Sequence, residues 1–457
     1  MVWSKISLAL LFVLFAQLAA QNTRSCHMSV MVGQQFQCAN TTCLPFATVT
    51  VLDVHACQII CLTEDHCQAA SFHRLTSNCE LFYGVSDNNT NMLANEQTTT
   101  MMVISNTRIV SVTTVNSVCL NQTYYSTGSY PIAVAIGDVN NDNKRDIIVA
   151  DYNSNTVGVL INRNNGTFFP ETSYYIGAFA ISIALADMNN DNYSDIIIAC
   201  YNWNYINILI NAGNGTFLPL QNYSTGSSPY SVAVADVNND NKPDIISGNY
   251  GSNNVAVLLN TGNGIFLNKT TYSVGTYPRS IAVVDVNNDN NPDIIAACYG
   301  SNNVVVLFNT GNGTFLPQTS YAVGSSPYSV AVADINNDNK ADIVVANFNS
   351  STISILFNTG SSTFFPQTTY LVGTFPYSVA VADINSDNKP DIIVANSGTN
   401  TISILLNMGG GTFQNQITYS TGSNPHSVAV ADVNYDNKPD IIVANSGSST
   451  VSVLLQC

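Results

Sequence analysis

The chain has 457 residues, of which 29 are acidic and 13 are basic, and a formal net charge of −16. It contains no basic stripe that could neutralise phosphates, which argues against a nucleic-acid-binding function. Because 46% of the residues are hydrophobic, the acidity does not indicate a disordered chain. The length suits a small domain followed by a large one.

Residues 1–20 read MVWSKISLALLFVLFAQLAA, with Lys5 ahead of an apolar run that ends at Phe15. This is the layout of a signal peptide, with cleavage expected after Ala20. A membrane anchor is the alternative, but the run is short for a span. We therefore expect a secreted, extracellular protein with no transmembrane segment in the mature chain. Sequons that suit glycosylation in the secretory route occur at Asn40, Asn88, Asn121, Asn165, Asn214, Asn268 and Asn312, among other places.

The first 119 residues are rich in cysteine. In an exported chain this density indicates a disulfide framework rather than a zinc site. The string HACQIICLTEDHCQAASFHRLTSNCELF has the spacing C-x3-C-x5-C-x11-C, and its first two cysteines fall on one face of an expected short helix. Eight of the 11 cysteines lie in this part: Cys26, Cys38, Cys43, Cys57, Cys61, Cys67, Cys79 and Cys119.

Residues 21–117 resemble the PAN/apple domain, a small disulfide-rich α+β module, on the strength of that cysteine string. The resemblance implies nested bridges, Cys57–Cys79 and Cys61–Cys67, and a domain that binds proteins or carbohydrates. Another small disulfide-rich module is the alternative. The pairing of Cys26, Cys38 and Cys43 stays open, because their number is odd.

From about residue 118 a unit of 49 residues recurs seven times. One copy, SVAVADVNNDNKPDIISGN, begins at Ser231. Four strands are predicted in each unit: an alternating SVAVADV, a continuously apolar DIIVAN, an alternating TVSVLLN and, after an Asn-Gly turn, FLPQTSYAVG. Four antiparallel strands repeated seven times predict a seven-bladed β-propeller. A β-solenoid is the alternative, but its repeats are usually shorter.

The two ends of this region predict how the ring closes. The last unit stops after its third strand, VSVLLQC, and the missing fourth strand stands ahead of the first unit, in CLNQTYYSTG. Alignment of the units places Cys119 and Cys457 opposite each other across a hairpin, which predicts a disulfide between them. A non-reducing peptide map without this bridge would contradict the prediction. Cys119 would then belong to the N-terminal domain and Cys457 would be free.

Each unit carries an Asp-x-Asn-x-Asp-x-x-x-Asp loop between its first two strands. Oxygen side chains at positions 1, 3, 5 and 9 suit Ca²⁺, which takes about six to eight oxygen ligands on a flexible loop. An EF-hand would need a Glu at position 12 and flanking helices, and both are missing. We predict up to seven structural Ca²⁺ ions, held by Asp138, Asn140, Asp142, Asp146, Asp187, Asn189, Asp191, Asp195, Asp236, Asn238, Asp240, Asp244, Asp285, Asn287, Asp289, Asp293, Asp334, Asn336, Asp338, Asp342, Asp383, Asn385, Asp387, Asp391, Asp432, Asn434, Asp436 and Asp440.

Two further properties of these loops favour calcium over a merely acidic turn. The loops hold 21 of the 29 acidic residues, so seven Ca²⁺ ions would bring the formal charge to about −2 and relieve repulsion between carboxylates. Position 6 is always Asn, a residue that tolerates the positive φ of a sharp turn. These residues are Asn143, Asn192, Asn241, Asn290, Asn339, Asn388 and Asn437.

The unit NGTFxPxTxYxVGxxPxSVAVADVNNDNKPDIIVAN resembles the FG-GAP/VCBS repeat, the unit of the integrin α-subunit propeller and of many secreted proteins. The resemblance covers residues 118–457 and implies a propeller with structural calcium in its loops. The family loop usually has Asp at position 3 and Gly at position 6. Asn at both positions here lowers the ligand charge but does not change the expected fold.

Strand direction places the Asp loops and the hairpins on one face, and the loops before the first strand and after the second on the other. On that other face two repeat positions form candidate contacts for a protein or glycan, or caps on the blade cores. Six residues before each first Asp stand Ile132, Ile181, Tyr230, Arg279, Tyr328, Tyr377 and His426, and we select the last five as the ligand ring. Fourteen residues after it stand Tyr152, Tyr201, Tyr250, Tyr299, Phe348, Ser397 and Ser446, with Trp203 nearby.

The sequence favours a non-enzymatic recognition or adhesion protein. The propeller has a single His, His426, and a single Glu, Glu171, while its repeated Asp residues are assigned to calcium. No set of nucleophile, base and orienting group stands out, and Cys200 and Cys298 are interpreted as buried thiols. The alternatives are an extracellular carbohydrate-active enzyme on a propeller and a purely structural coat protein.

Overall fold

A computed structural model describes the backbone of residues 27–37, 47–50, 69–73, 78–82 and 91–104, and all atoms of residues 120–456. The chain divides into two units, Met1–Ser117 and Val118–Cys457. The regular secondary structure in the described segments consists of strands, which confirms the mainly β prediction. No helix in these segments is long and apolar enough to cross a membrane.

The described part of the first unit is a five-stranded antiparallel sheet. Its longest strands, His27–Gln37 and Asn91–Ile104, pair at one edge. Asn91–Ile104 also pairs with Ala69–His73, which continues to Asn78–Phe82 and then to Ala47–Thr50. The first and last described strands of this unit are therefore neighbours in the sheet.

Several predictions for this part of the chain lie outside the described residues. They are the signal peptide at 1–20, the short helix and the bridges of Cys57 and Cys61. Cys79 lies in the strand Asn78–Phe82, but its predicted partner Cys57 is not among the described residues. These points stay predictions.

The second unit is a ring of seven four-stranded antiparallel blades, as predicted. The first strand of each blade is innermost and contacts the first strands of both neighbouring blades, so the last blade meets the first. The first strands are Pro131–Gly137, Ala180–Ala186, Pro229–Ala235, Pro278–Val284, Pro327–Ala333, Pro376–Ala382 and Pro425–Ala431. The second strands are Asp146–Asp151, Asp195–Cys200, Asp244–Asn249, Asp293–Cys298, Asp342–Asn347, Asp391–Asn396 and Asp440–Asn445.

The outer strands of blades 1 to 6 are shorter than the inner ones, whereas both outer strands of blade 7 have seven residues. The third strands are Thr156–Leu160, Tyr205–Leu209, Asn254–Leu258, Asn303–Leu307, Thr352–Leu356, Thr401–Leu405 and Thr450–Gln456. The fourth strands are Thr172–Tyr175, Gln221–Ser224, Thr270–Ser273, Thr319–Ala322, Thr368–Leu371, Ile417–Ser420 and Leu120–Ser126.

The fourth strand is shorter than the predicted FLPQTSYAVG, and in blades 1 to 6 it begins two residues after the position of the proline in that stretch. Proline has no N–H to donate to a sheet ladder. In blades 3 and 6 that proline is replaced by Asn268 and Asn415, and two short strands lengthen the preceding hairpin there. These are Asn260–Gly262 with Ile265–Phe266, and Asn407–Gly409 with Thr412–Phe413.

The predicted closure of the ring is confirmed. Thr450–Gln456 pairs with Leu120–Ser126, and the register runs from Thr450 opposite Ser126 to Gln456 opposite Leu120. Cys457 and Cys119 are the next residues in sequence but lie outside the described residues, so their disulfide stays a prediction.

The hydrophobic core lies in layers between neighbouring blades. The second strand of every blade is buried along its whole length, which explains why DIIVAN is apolar on both faces. Between blades 1 and 2, for example, Ile148 and Val157 pack with Ile196 and Ile198. Since each blade buries its faces only against its neighbours, the ring must close to complete the core.

Candidate functional site

The Asp-x-Asn-x-Asp loops and the hairpins between third and fourth strands lie on one face of the propeller, here called the acidic face. The Asn at loop position 6 has a positive φ in all seven loops, between 59° and 67°, as predicted. Position 4 also has a positive φ in every loop, which was not predicted. It is Asn in five loops and Ser386 or Tyr435 in the other two.

In the first loop the side chains at positions 1, 3 and 5 surround one backbone turn. Asp138 Oδ1 and Asn140 Oδ1 both accept the amide of Asp142, each at 3.2 Å. Asp138 Oδ2 accepts the amide of Asn143 at 2.7 Å. The Asp142 carboxylate also lies 3.1 Å from the ammonium group of Lys144. The same ion pair occurs in Asp240–Lys242, Asp338–Lys340 and Asp387–Lys389.

The Asp at position 9, predicted to close the calcium shell, lies beneath the loop. Asp146 is fully buried, and it accepts the amides of Val139 at 3.1 Å and Asn162 at 2.9 Å. Burial raises the pKa of Asp146 to about 6; the two hydrogen bonds lower it, and the nearby carboxylates of Asp142 and Asp138 raise it. This Asp therefore joins the loop, the second strand and the hairpin. Its counterparts Asp195, Asp244, Asp293, Asp342, Asp391 and Asp440 are buried and bonded in the same way.

A second recurring side chain, missed by the sequence reasoning, fastens neighbouring blades together. Asn211 opens the hairpin of blade 2, and its Nδ2 donates to Val139 O of blade 1 at 2.8 Å and to Ser194 O of its own blade at 2.9 Å. Gln456 reaches from blade 7 to Ile384 O of blade 6 in the same way. The signal was visible as an Asn that opens six hairpins, but it was interpreted only as turn chemistry. The series is Asn162, Asn211, Asn260, Asn309, Asn358 and Asn407.

The side-chain oxygens of the acidic loops are of the kind that a hard divalent cation binds. Each loop offers three carboxylates and one amide, all of them oxygen donors. The oxygens of the ninth Asp accept one hydrogen bond each, which leaves a lone pair on each oxygen. Within residues 120–456, however, no three Asp, Glu, His or Cys side chains are already arranged as a metal site. The calcium ligands therefore stay predictions.

The opposite face, here called the mouth face, carries the end of the central channel. All five predicted ring residues line one cavity of about 110 Å³ there: Tyr230, Arg279, Tyr328, Tyr377 and His426. The guanidinium of Arg279 lies 4.4–5.1 Å from the ring centres of four tyrosines: Tyr230, Tyr250, Tyr299 and Tyr328. The structure thus brings the predicted ring together around a single cation.

The polar contacts of Arg279 are incomplete. Its Nη1 donates to the hydroxyls of Tyr230 and Tyr328, both at 2.6 Å, and these hydroxyls also contact each other. Its Nε is buried and has no hydrogen-bond partner in the described part of the chain. Burial raises the pKa of Tyr230 to about 12, and the charge of Arg279 opposes that rise. Both groups therefore stay protonated near neutral pH.

Below the tyrosines a ring of serines lines the same cavity. Each serine hydroxyl accepts an amide from the first strand of the next blade, at 3.1–3.3 Å. Ala133 takes the place of serine in blade 1. This inter-blade bond was also missed, since the serine that opens SVAVADV was interpreted only as the start of a strand. The six are Ser182, Ser231, Ser280, Ser329, Ser378 and Ser427.

The aromatic residues fourteen positions after the first Asp form a second layer behind the ring. Tyr250 stacks on Tyr277 with centroids 4.6 Å apart, and Phe348 stacks on Phe375 at 4.8 Å. Tyr277 and Phe375 are 44% and 45% exposed. Tyr250 and Phe348 therefore fit the expectation of caps on the blade cores, whereas Tyr277 and Phe375 expose their rings to solvent.

Two other polar groups on this side depart from the repeat. His426 is buried, and burial lowers its pKa to about 4. Asp151, at the end of a second strand, is fully buried, and burial and the adjacent Glu171 carboxyl raise its pKa to about 8.

Cys200 and Cys298 occupy the place of Asp151 in blades 2 and 4. Both are buried free thiols, as predicted.

The FG-GAP-like repeat model matches the propeller six times, at residues 138–198, 187–247, 236–296, 285–345, 334–394 and 383–443. The chain belongs to the FG-GAP-like repeat family. Each match runs from one acidic loop into the second strand of the next blade, so six matches span all seven loops. A PAN domain model matches residues 40–107 of this FG-GAP-like repeat protein, which confirms the second resemblance. The two families together suggest a role in protein interaction or adhesion.

Solved structures with the same fold are distant in sequence. The structure of BBS1N in complex with ARL6DN is 13% identical, with a TM-score of 0.55, and the match covers 75% of this chain and 98% of that one. A catalytically inactive virginiamycin B lyase from Staphylococcus aureus, with quinupristin, is 14% identical, with a TM-score of 0.53, and the match covers 74% and 100%. These likenesses show the propeller fold alone. No curated protein matches the chain at a significant level.

Proposed function

We propose that this FG-GAP-like repeat protein is a secreted, calcium-binding recognition or adhesion protein, and that its propeller binds an extracellular protein or glycan at the mouth face. The observation that carries the proposal is the convergence of the ring. Tyr230, Arg279, Tyr328, Tyr377 and His426 replace one another at a single repeat position, and all five line one cavity. A repeat position kept only for packing would not need tyrosine, arginine and histidine side chains around one space.

The fold is compatible with this role. BBS1N, a propeller of the same fold, was solved in complex with ARL6DN, so a propeller of this kind can act as a binding module. The PAN domain at residues 40–107 would add a second recognition module to the same chain. Neither comparison identifies the ligand of this protein.

Calcium has a structural role in this proposal. The acidic loops would hold Ca²⁺ through the oxygens of positions 1, 3, 5 and 9, and the two positive charges of the ion would offset most of the charge of the three carboxylates in each loop. The ninth Asp already joins the loop to the second strand and the hairpin. A cation at the loop would therefore stabilise the junction between neighbouring blades rather than contact the ligand.

A binding function accounts for the mouth face better than catalysis does. The virginiamycin B lyase shows that a propeller of this fold can carry a reaction. General acid–base catalysis needs a group that gains and loses a proton near the working pH. No carboxylate lines the described cavity, and His426 has a pKa of about 4 and is buried.

The proposal is tested by the binding of the calcium-loaded protein to a glycan array and to cell surfaces. Wild-type protein is compared with a variant in which Tyr230, Arg279 and Tyr328 are replaced by Ala. Signal that is lost in a variant with a normal melting profile would support the mouth face as the binding site. Signal that is undiminished in the variant would refute it.

A further inference from the structure

The cavity at the mouth face is lined by hydrogen-bond donors and by no acid. None of the described residues that line it is Asp or Glu, although the chain as a whole has a net charge of −16. The only acids of the propeller outside the calcium loops are Asp151 and Glu171, which contact each other. The cavity is therefore a locally positive point in a negative protein.

Arg279 supplies this positive charge without a carboxylate partner. Four tyrosine rings surround its guanidinium, and their π faces stabilise it in part. A buried cation normally also has an anionic partner, because removal of the ion from water is costly. The unpartnered Nε of Arg279 marks the place of a missing acceptor.

The tyrosines and serines add further donors. The hydroxyls of Tyr230, Tyr328 and Tyr377 form a chain of two hydrogen bonds, so one of their three protons remains available. Each of the six serine hydroxyls already accepts a backbone amide from the next blade. No described residue accepts a proton from these serines, so every serine can still donate. Arginine, phenol and hydroxyl donors around one space suit an anion with several oxygens.

The size of the cavity limits what enters. One water molecule needs roughly 10–15 Å³ on the same measure, so about 110 Å³ holds a group of several non-hydrogen atoms. A carboxylate or sulfate group fits this space, whereas a folded segment does not. The rest of such a ligand must lie on the rim.

Outside the cavity, the mouth face carries exposed aromatic rings on strained backbone. Tyr277 and Phe375 have φ of 57° and 55°, a region that bulky residues rarely adopt, and both precede proline. Ser or Asn stands at the same position in three other blades: Ser228, Ser326 and Asn424. Residues held in such backbone tend to be functional. Flat, exposed aromatic rings suit the apolar face of a sugar, and Tyr277 stacks on Tyr250, whose ring in turn faces Arg279.

We infer that the mouth face binds an acidic saccharide, with a carboxylate or sulfate group of the sugar at Arg279 and the sugar ring on Tyr277 or Phe375. The inference rests on the proposed recognition function and names the class of its ligand. Even with seven Ca²⁺ ions bound, the formal charge of the chain is about −2, so its overall charge does not attract such a polyanion. Binding therefore requires the specific donors of the cavity.

The test measures binding of the full, calcium-loaded chain to four probes. Hyaluronan carries carboxylates on sugars, dextran sulfate carries sulfates, dextran is neutral, and poly-L-glutamate carries carboxylates on a polypeptide. We expect binding to hyaluronan or to dextran sulfate, and the stronger of the two identifies the anion. Dextran and poly-L-glutamate should bind at least tenfold more weakly.

Two kinds of variant locate the binding. Arg279→Gln should weaken it at least tenfold, because a charge-assisted hydrogen bond is lost. Arg163→Gln is the matched control, since Arg163 is exposed on the acidic face and packs on Phe169. Should Arg279→Gln fail to fold, Tyr277→Asn and Phe375→Asn provide the test. Asn tolerates the positive φ, and each change should weaken binding roughly threefold.

The outcomes separate this inference from the proposed function. Equal binding of Arg279→Gln and wild type, or of dextran and the acidic sugars, would overturn the inference. Binding of poly-L-glutamate alone would also overturn it, but would leave a recognition protein with an acidic protein as ligand. No binding to any probe would overturn the inference; the proposed function would then fail only if the array and cell-surface test were negative as well.

Discussion

The two ends of the second strand, which is buried in every blade, differ in how strictly the repeat is kept. At the acidic face every second strand begins with Asp, and each of these Asp residues makes the same two backbone hydrogen bonds. At the mouth face the same strands end with Asp151, Cys200, Asn249, Cys298, Asn347, Asn396 and Asn445. The same Asp thus begins all seven second strands, whereas three residue types share their other end: Asp once, Cys twice and Asn four times.

The difference shows which end holds the ring together. At the acidic face an Asp, a loop amide and a hairpin Asn connect each blade to the preceding one, and Gln456 completes this series. Every blade needs the same connection, so the sequence repeats. At the mouth face a single Arg279 contacts tyrosine rings of three blades, so the sequence need not repeat at this position.

Removal of calcium should have the largest effect, because it acts on all seven loops. At free Ca²⁺ tenfold above Kd, each site would contribute about 1.4 kcal/mol, and seven independent sites about 10 kcal/mol. We expect a chelator to lower the melting midpoint strongly and Ca²⁺ to restore it. Mg²⁺ at the same concentration should restore little, because it prefers a rigid octahedral shell. An unchanged midpoint would show that the loops stabilise the ring without a metal.

Loss of a single blade connection should have the next largest effect. Asn407→Ala removes the donors to Ile335 O and Pro390 O and the acceptor of the Gly409 amide. Buried groups without partners should lower the free energy of unfolding by about 2–4 kcal/mol. The measurement is denaturant unfolding in the presence of calcium. Asn415→Ala, at an exposed site of the same blade, should change it by less than about 0.5 kcal/mol.

For the acidic face, the sequence predicted the strands and loops but not the hydrogen bonds that connect neighbouring blades. The period of 49 residues and the alternation in SVAVADV were enough to predict the blades. The Asn at loop position 6 was enough to predict a positive φ there. The role of Asn407 could not be predicted, because its acceptor Ile335 lies 72 residues away in another blade. At the mouth face the sequence reasoning found the ligand-ring position because its residue varies between otherwise similar units. That tyrosines of three blades enclose Arg279 could not be predicted, because the folded propeller brings them together.

A buried carboxyl at the mouth face should make stability depend on pH. Burial and Glu171 raise the pKa of Asp151 to about 8, well above the usual range of Asp. An acid whose pKa is raised by folding stabilises the fold below its unfolded pKa and loses that contribution as pH rises through the folded pKa. The window here is about pH 4 to 8. Four other blades carry Asn at this place: Asn249, Asn347, Asn396 and Asn445.

Asp151→Asn should therefore stabilise the protein at pH 8.5 by on the order of 2 kcal/mol and lose this advantage near pH 4. The difference in unfolding free energy between variant and wild type is measured at several pH values, which cancels the titration of the calcium loops. Glu171→Gln should have the same sign, because it removes the charge that Asp151 faces. A difference that does not vary with pH would contradict the raised pKa.

The smallest effect is expected at the two cysteines that occupy the Asp151 position in blades 2 and 4. Burial raises the pKa of Cys200 and Cys298 to about 12, and a thiol reacts only as its thiolate. Alkylation of the native, calcium-loaded protein at pH 8 should therefore leave both unmodified, whereas unfolded protein should be modified at both. Peptide mass spectrometry measures this directly. Rapid native modification of either thiol would mean that the mouth end of its strand opens locally, and that the two ends differ in stability as well as in sequence.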